Sequence, residues 1–251
     1  MKRFMLISIT CASVFAFIIA KDRASIGNNI HLRTQINKLD VFVSSEEINV
    51  ENKYIKVNIK YPVIQEVNDK SIQNRLNEKF KKDVLYFKSE IEKQAFEAYN
   101  YSKNKGFPFM TYEVFIDFKV TFNKNNILSI PASYYSYTGG AHGFTIIRPY
   151  NINLTAGKEI KLKDIFKEGT DYKTIIKNEI IRQMKENPDE YFPEALNKIK
   201  SISDDQNFYL EDGNIIIYYG LYDIAPYASG IKEFKIPFSM FNTAVKPEFN
   251  H

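Results

Sequence analysis

Between residues 68 and 101, Ile72, Leu76, Phe80, Val84, Phe87, Ile91, Ala95 and Ala98 recur at spacings of three and four. That period gathers all eight on one stripe of a helix long enough to cover the face of a sheet, and a strand cannot carry it. The segments around it have period two instead. Tyr54, Lys56, Asn58 and Lys60 alternate with Ile55, Val57, Ile59 and Tyr61 until Pro62 ends the run, so folding is expected to start at Tyr54 with a half-buried strand. Residues 112–122 and 127–137 are rich in aromatic and branched side chains, and the polar turn Asn123, Lys124, Asn125, Asn126 between them predicts a β-hairpin. Further strands are expected at 144–154, 159–162, 208–210 and 215–219 and through Phe234, Ile236 and Pro237, with Asp212 and Gly213 as a turn. A second helix is expected over 172–185, stopped by Pro188, and a shorter one over 193–199. The fold class is α+β, with antiparallel sheets, a long helix packed on one face and two small lobes sharing a core.

The core must hold without covalent help, because the single cysteine, Cys11, has no partner for a disulfide. Seventeen tyrosines and twenty phenylalanines in 251 residues are enough to build it. Cys11 lies inside an uncharged apolar run, residues 4–20, that follows Lys2 and Arg3 and marks the chain for export. The run lies between the about 7 to 15 residues of a cleaved signal and the about 20 of a spanning helix, so residues 1–20 read either as a signal peptide or as an N-terminal membrane anchor. Residues 21–45 are polar and aperiodic and read as a flexible tether. The chain is therefore expected to be extracytoplasmic, secreted or anchored to the outer face of the cytoplasmic membrane. A net charge of +4, which falls to +2 without Lys2 and Arg3, comes with no dense basic block and does not point to nucleic acid.

Two segments stand apart from this scaffold. Ser133, Tyr134, Tyr135, Ser136 and Tyr137 run into Thr138, Gly139, Gly140, Ala141, His142 and Gly143, an aromatic strand leading into a glycine loop that holds a histidine. Three glycines in five residues lose much backbone entropy on folding, which makes sense where positive φ or close approach is needed, for packing or for a ligand. Residues 222–230, from Tyr222 through Pro226 and Tyr227 to Gly230, read as an ordered crossing loop. If the two loops fold side by side, they make a tyrosine-rich, weakly charged patch of the kind found at protein interfaces and on sugar-binding faces. The candidate ligand-binding residues are Tyr137, Gly139, Gly140, His142, Tyr222 and Tyr227. No catalytic residue, metal ligand set or cofactor is assigned. The other histidines, His31 and His251, lie in the tether and at the terminus, and no G-x-S-x-G elbow or exported cysteine stands beside His142 in the sequence. Residues 155–158, Thr-Ala-Gly-Lys, lack the earlier glycine and the hydroxyl residue of a phosphate loop and read as a turn.

The run from Tyr137 to Gly143, then Asn153-Leu154-Thr155-Ala156-Gly157-Lys158, Leu162-Lys163-Asp164-Ile165-Phe166 and finally Tyr222 to Gly230, taken in this order, resembles a family of bacterial surface proteins. That family joins a domain found ahead of a peptidoglycan deacetylase (DUF4163 type) to a DUF3298 domain, as in the extracellular part of a lysozyme-sensing anti-sigma factor. The resemblance covers residues 54–241. It implies a DUF4163-like domain over 46–150, a DUF3298-like domain over 151–242, and recognition of a lysozyme-like protein or of peptidoglycan. The deacetylase's catalytic domain has no counterpart here, so the expectation is a binding module and not an enzyme. A cell-wall hydrolase, a deacetylase accessory protein and a structural envelope-assembly protein are the alternatives.

Overall fold

The structure, a computed structural model, describes residues 41–249. The expected signal or anchor, residues 21–40 of the expected tether, and His31 and His251 lie outside the described residues. Among the described residues, ten strands and three α-helices follow in the order β1 (Phe42–Glu51), β2 (Ile55–Gln65), α1 (Lys70–Lys105), β3 (Tyr112–Phe118), β4 (Phe122–Lys124), β5 (Ile127–Tyr137), β6 (Phe144–Asn153), β7 (Lys158–Glu159), α2 (Tyr172–Glu186), α3 (Ala195–Lys198), β8 (Phe208–Glu211), β9 (Asn214–Tyr219) and β10 (Lys232–Pro237). No described helix is long and apolar enough to cross a membrane.

The first lobe is one sheet in the order β1-β2-β3-β5-β6-β7, with β4 also paired to β5. All its pairs are antiparallel except β2 with β3, which run parallel because α1 is the crossover between them. Asp69 caps α1 by accepting from the Ser71 and Ile72 N–H groups. The predicted stripe faces the sheet: Ile72, Leu76, Phe80, Val84, Ile91 and Ala95 are buried against Ile55, Val57, Ile59, Val114, Ile116, Leu128, Ile130 and Tyr134. Phe87, half-buried, meets the Tyr134 ring edge-on at 5.2 Å.

Four expectations need correction. Folding begins at β1, ahead of Tyr54, and β1 takes residues 42–45 from the expected tether. Its first half, Phe42 to Glu47, carries no alternation because β1 is a partly exposed edge strand. β2 does not end at Pro62 but runs to Gln65; beyond Ile59 its only partner is β1, the edge setting in which a strand proline is tolerated. The single strand expected over 112–122 is broken. Phe118 pairs with Ala132 and Phe122 with Ser129, so three residues, 119–121, lie opposite two, a bulge centred on Pro131. The turn after it is shorter than expected: Asn125 and Asn126, with φ 53° and 60°, turn the chain alone, while Asn123 and Lys124 belong to β4.

The second lobe is the sheet β10-β9-β8. Alternation along β9 sends Ile215 and Ile217 into a core with Ile176, Ile180 and Met184 of α2, and Ile216 and Tyr218 to the opposite face, against Ile147 of β6. The lobes share their interior, since Phe122 and Ile127 of the first sheet are buried in the α2 core. A buried polar chain joins the sheets at the same place. Ser129 Oγ donates to Asn151 Oδ1 at 2.6 Å, Asn151 Nδ2 to the Phe208 carbonyl at 2.8 Å, and the Leu210 N–H to Ser129 Oγ at 2.9 Å. Every polar atom of that chain found inside is thereby satisfied, which is what lets Ser129 and Asn151 stand among apolar neighbours.

Candidate functional site

The two loops singled out in the sequence meet. β5 ends at Tyr137, and the chain returns into β6 at Phe144 through Gly139 and Gly140, whose φ of 84° and 107° a side chain would oppose. Gly143 is needed for a different reason. It is buried at ordinary φ, and a Cβ there would land on the Tyr135 ring. The other loop is clamped from below: Ile224 and Ala225 are buried, the Ile224 carbonyl accepts from the Phe192 N–H at 3.0 Å, and Asp223 Oδ2 accepts from the Gly220 N–H at 2.6 Å. This leaves Tyr222, Pro226 and Tyr227 facing outward.

The Tyr227 ring stacks on His142, with centroids 3.8 Å apart and an interplanar angle of 21°. Tyr222 lies 5.8 Å from Tyr227 and 6.4 Å from His142, centroid to centroid. The Gly143 carbonyl holds the arrangement by accepting from Tyr227 OH at 3.0 Å and from His142 Nδ1 at 2.9 Å. A carbonyl can only accept, so Nδ1 carries a proton, and Nε2 lies in hydrogen-bond contact with Tyr222 OH at 3.2 Å. Tyr137 braces the glycine turn by donating to the Gly140 carbonyl at 3.0 Å, and its hydroxyl also touches Met110 Sδ at 3.3 Å. Tyr135 lies under this group, and burial together with Glu113, Tyr227 and Tyr137 nearby pushes its hydroxyl above the usual tyrosine range.

Tyr222 stands out energetically. It is 48 % exposed and sits at φ 67°, a left-handed conformation that an aromatic side chain rarely adopts. Such strain persists only where the surroundings fix it, and it gathers at ligand sites and switches. What the cluster offers a partner is three ring surfaces, hydroxyls with capacity to spare and little charge. His142 is oriented by a backbone carbonyl and not by a carboxylate, and its one other hydrogen bond is to a phenol. Among the described residues no three His, Cys, Asp or Glu side chains gather as a metal-ligand group.

All six predicted residues fall within this one cluster or in the turn that carries it. Sequence reasoning missed Met110 and Tyr135. The β5 alternation could have found Tyr135, since it shares a face with Tyr137; nothing in the sequence brings Met110 beside β5. The phosphate-loop lookalike is a turn, as expected: Asn153 Oδ1 accepts from Thr155 N and Ala156 N at 3.0 and 2.9 Å, and the Gly157 carbonyl accepts from Arg75 of α1 at 2.8 Å.

Comparison with known proteins divides the chain into two parts. Residues 48–145 match the family described as Deacetylase PdaC, and residues 163–239 match a protein family of unknown function, DUF3298. The chain thus carries a PdaC-like segment fused to a DUF3298-like one, and the site lies at their junction: Tyr137 and His142 come from the first, Tyr222 and Tyr227 from the second. It is homologous to two Bacillus subtilis (strain 168) proteins. To the anti-sigma-V factor RsiV it is 28% identical over 209 residues, covering 80% of this chain and 70% of that protein. To the peptidoglycan-N-acetylmuramic acid deacetylase PdaC it is 24% identical over 202 residues, covering 79% of this chain but only 41% of that protein. Among solved structures, a DUF3298 family member from Bacteroides fragilis aligns with TM-score 0.62 and 25% identity over 83% of this chain and 94% of its own. A Pseudomonas aeruginosa DUF3298 family protein, at 18% identity and TM-score 0.60 over 84% of this chain and 96% of its own, shares the fold.

Proposed function

We propose that the chain is a non-catalytic extracytoplasmic recognition module of the cell envelope, and that it binds a wall-acting protein such as a lysozyme through the His142, Tyr222 and Tyr227 cluster. One observation carries the reading: two loops far apart in sequence, one from each matched segment, converge on a stacked, hydrogen-bonded aromatic group with a strained tyrosine at its rim. Sites assembled where two segments meet are common places for ligands, and rigid tyrosines with exposed faces are what protein interfaces favour. Homology to an anti-sigma factor supports a sensing role, and homology to a wall deacetylase supports the envelope as its setting. The motif resemblance adds lysozyme as the first partner to try and a DUF4163-type identity for the first segment.

The test is calorimetric titration of the full chain in mild detergent with lysozyme and, separately, with soluble muropeptides. Saturable heat with lysozyme, lost in a folded Tyr137→Ala/Tyr222→Ala double variant, supports the module and its site. Heat with muropeptides alone shifts the ligand to a wall glycan. Product release from peptidoglycan that disappears in His142→Ala would replace the binding reading with an enzymatic one.

A further inference from the structure

A second group of exposed apolar side chains lies at the C-terminal end of α1 and in the loop leading to β3. Phe96 is 52 %, Tyr101 59 %, Phe107 59 % and Met110 57 % exposed. The loop is nonetheless firmly held. Gly106 ends α1 in the left-handed conformation, and both its N–H and that of Phe107 donate to the Ser102 carbonyl. The Phe109 ring packs inward between Tyr99, edge-on at 5.4 Å, and Tyr112, stacked at 5.7 Å. Tyr54 extends that layer by contacts with Phe96 at 5.6 Å and Tyr99 at 6.1 Å. Phe109 is therefore the anchor, and Phe107 and Met110 on either side of it project into solvent from a fixed backbone.

Charge surrounds these tips unevenly. Lys103 and Lys105 in the last turn of α1, and Lys53 next to Tyr54, are exposed, and among the described residues none of the three is in an ion pair. Glu51, Glu97 and Glu113 are carboxylates on the neighbouring stretches of β1, α1 and β3. Exposed apolar side chains with unpaired lysines beside them in the chain are the chemistry of the bilayer interface. Rings and a thioether enter the boundary between headgroups and acyl chains while lysines stay at the phosphates. A glycan platform is built on flat ring faces, and Met110, 57 % exposed within the patch, has none. A bilayer is also within reach of the expected N-terminal segment, since residues 21–40 span at most about 70 Å.

We infer that the Phe107–Met110 loop and the end of α1 form a membrane-docking surface selective for bilayers containing anionic lipid, adjoining the recognition site at Met110, whose Sδ meets Tyr137 OH. The chain has no tryptophan, so Phe107→Trp supplies a single fluorescent probe at the tip, and Tyr86→Trp a control on α1 that is 61 % exposed and outside the patch. The full chain is placed in nanodiscs of phosphatidylcholine with or without phosphatidylglycerol, prepared with ordinary or brominated acyl chains. In anionic discs the Phe107→Trp emission is expected to move to shorter wavelength and to lose roughly half or more of its intensity to brominated lipid, as insertion to the acyl boundary requires. Tyr86→Trp should stay unshifted, and adding Lys103→Glu and Lys105→Glu to the Phe107→Trp chain should abolish the quenching. Equal behaviour of the two probes, quenching that persists after the lysine reversals, or a shift of Phe107→Trp with soluble muropeptides and not with bilayers would overturn the inference.

Discussion

Gly143 has two roles in the proposed recognition site. Its carbonyl organises His142 and Tyr227, and its missing side chain leaves room for the Tyr135 ring. Gly143→Ala should therefore destabilise the chain by about 1 to 3 kcal/mol, the usual cost of forcing atoms into a packed site, and weaken partner binding through displaced rings; urea denaturation and titration calorimetry measure the two effects. Tyr222→Gly should separate them. It removes a strained left-handed residue but also an exposed ring, so stability should stay within about 1 kcal/mol of the parent while binding falls. A large loss of stability in this variant would show that Tyr222 is structural. The site was legible in the sequence as far as composition reaches. A glycine cluster with a histidine, and tyrosines around a proline, flagged both loops. The long-range pairings that join them, Tyr222 to His142 and Tyr227 to Gly143, span 80 and 84 residues and leave no periodic trace.

Helix α2 holds the clearest pH-dependent element. Glu179 is buried, yet its carboxylate receives Arg182 Nε and Nη2 at 2.8 and 2.7 Å and Gln183 Nε2 at 2.8 Å. The Arg182 bonds lead in holding its carboxyl below the usual range, against the opposing effect of burial. A lowered folded-state pKa adds stability above the unfolded value of about 4.3, and that stability is lost as pH falls through the folded value. Glu179→Gln should therefore flatten the acid limb of a urea-midpoint profile below about pH 4.3 and lower stability above it; an unchanged acid limb would assign acid sensitivity to other carboxylates. Elements such as α2 and α1 were readable because one face is apolar at helical spacing. β1 and the β3–β4 bulge were not, since an edge strand needs no alternation and a bulge depends on the partner strand, here on Pro131. Ser129 and Asn151 were equally silent: a polar residue in a strand looks like a solvent-facing position until the second sheet supplies Leu210 N–H and the Phe208 carbonyl. Ser129→Ala and Asn151→Ala should each cost about 1 to 3 kcal/mol by stranding a buried partner, and the double variant should cost clearly less than their sum because the bonds form one chain.

The two matched segments raise the question of whether the molecule folds as two domains or as one. Separate matches favour two. The interior favours one, because Phe122 and Ile127 belong to the first sheet by pairing and to the α2 core by burial. The C-terminal end closes the same junction: Phe249 is buried in that core, Val245 bridges to Phe166, and Asn125 of the β4–β5 turn donates to the Glu248 carbonyl at 3.2 Å. With core packing, the Asn125–Glu248 bond and the Ser129–Asn151 chain all crossing the boundary, neither segment buries all of its apolar surface alone. Phe122→Ala tests this directly. Removing a buried phenylalanine costs about 3 to 5 kcal/mol, and the substitution lies in the PdaC-like segment, within 48–145. If the lobes fold as one unit, urea unfolding keeps a single transition at lower midpoint, and amide exchange accelerates in α2 and β8–β10 as much as in β2 and β5. If they are independent, exchange in β2 and α1 stays at parent rates while the second lobe opens early, and two transitions separate. The proposed recognition site draws residues from both segments, so the first outcome carries a functional consequence. A partner that holds Tyr222 and His142 together then stabilises the whole molecule, and its binding raises the midpoint of that one transition.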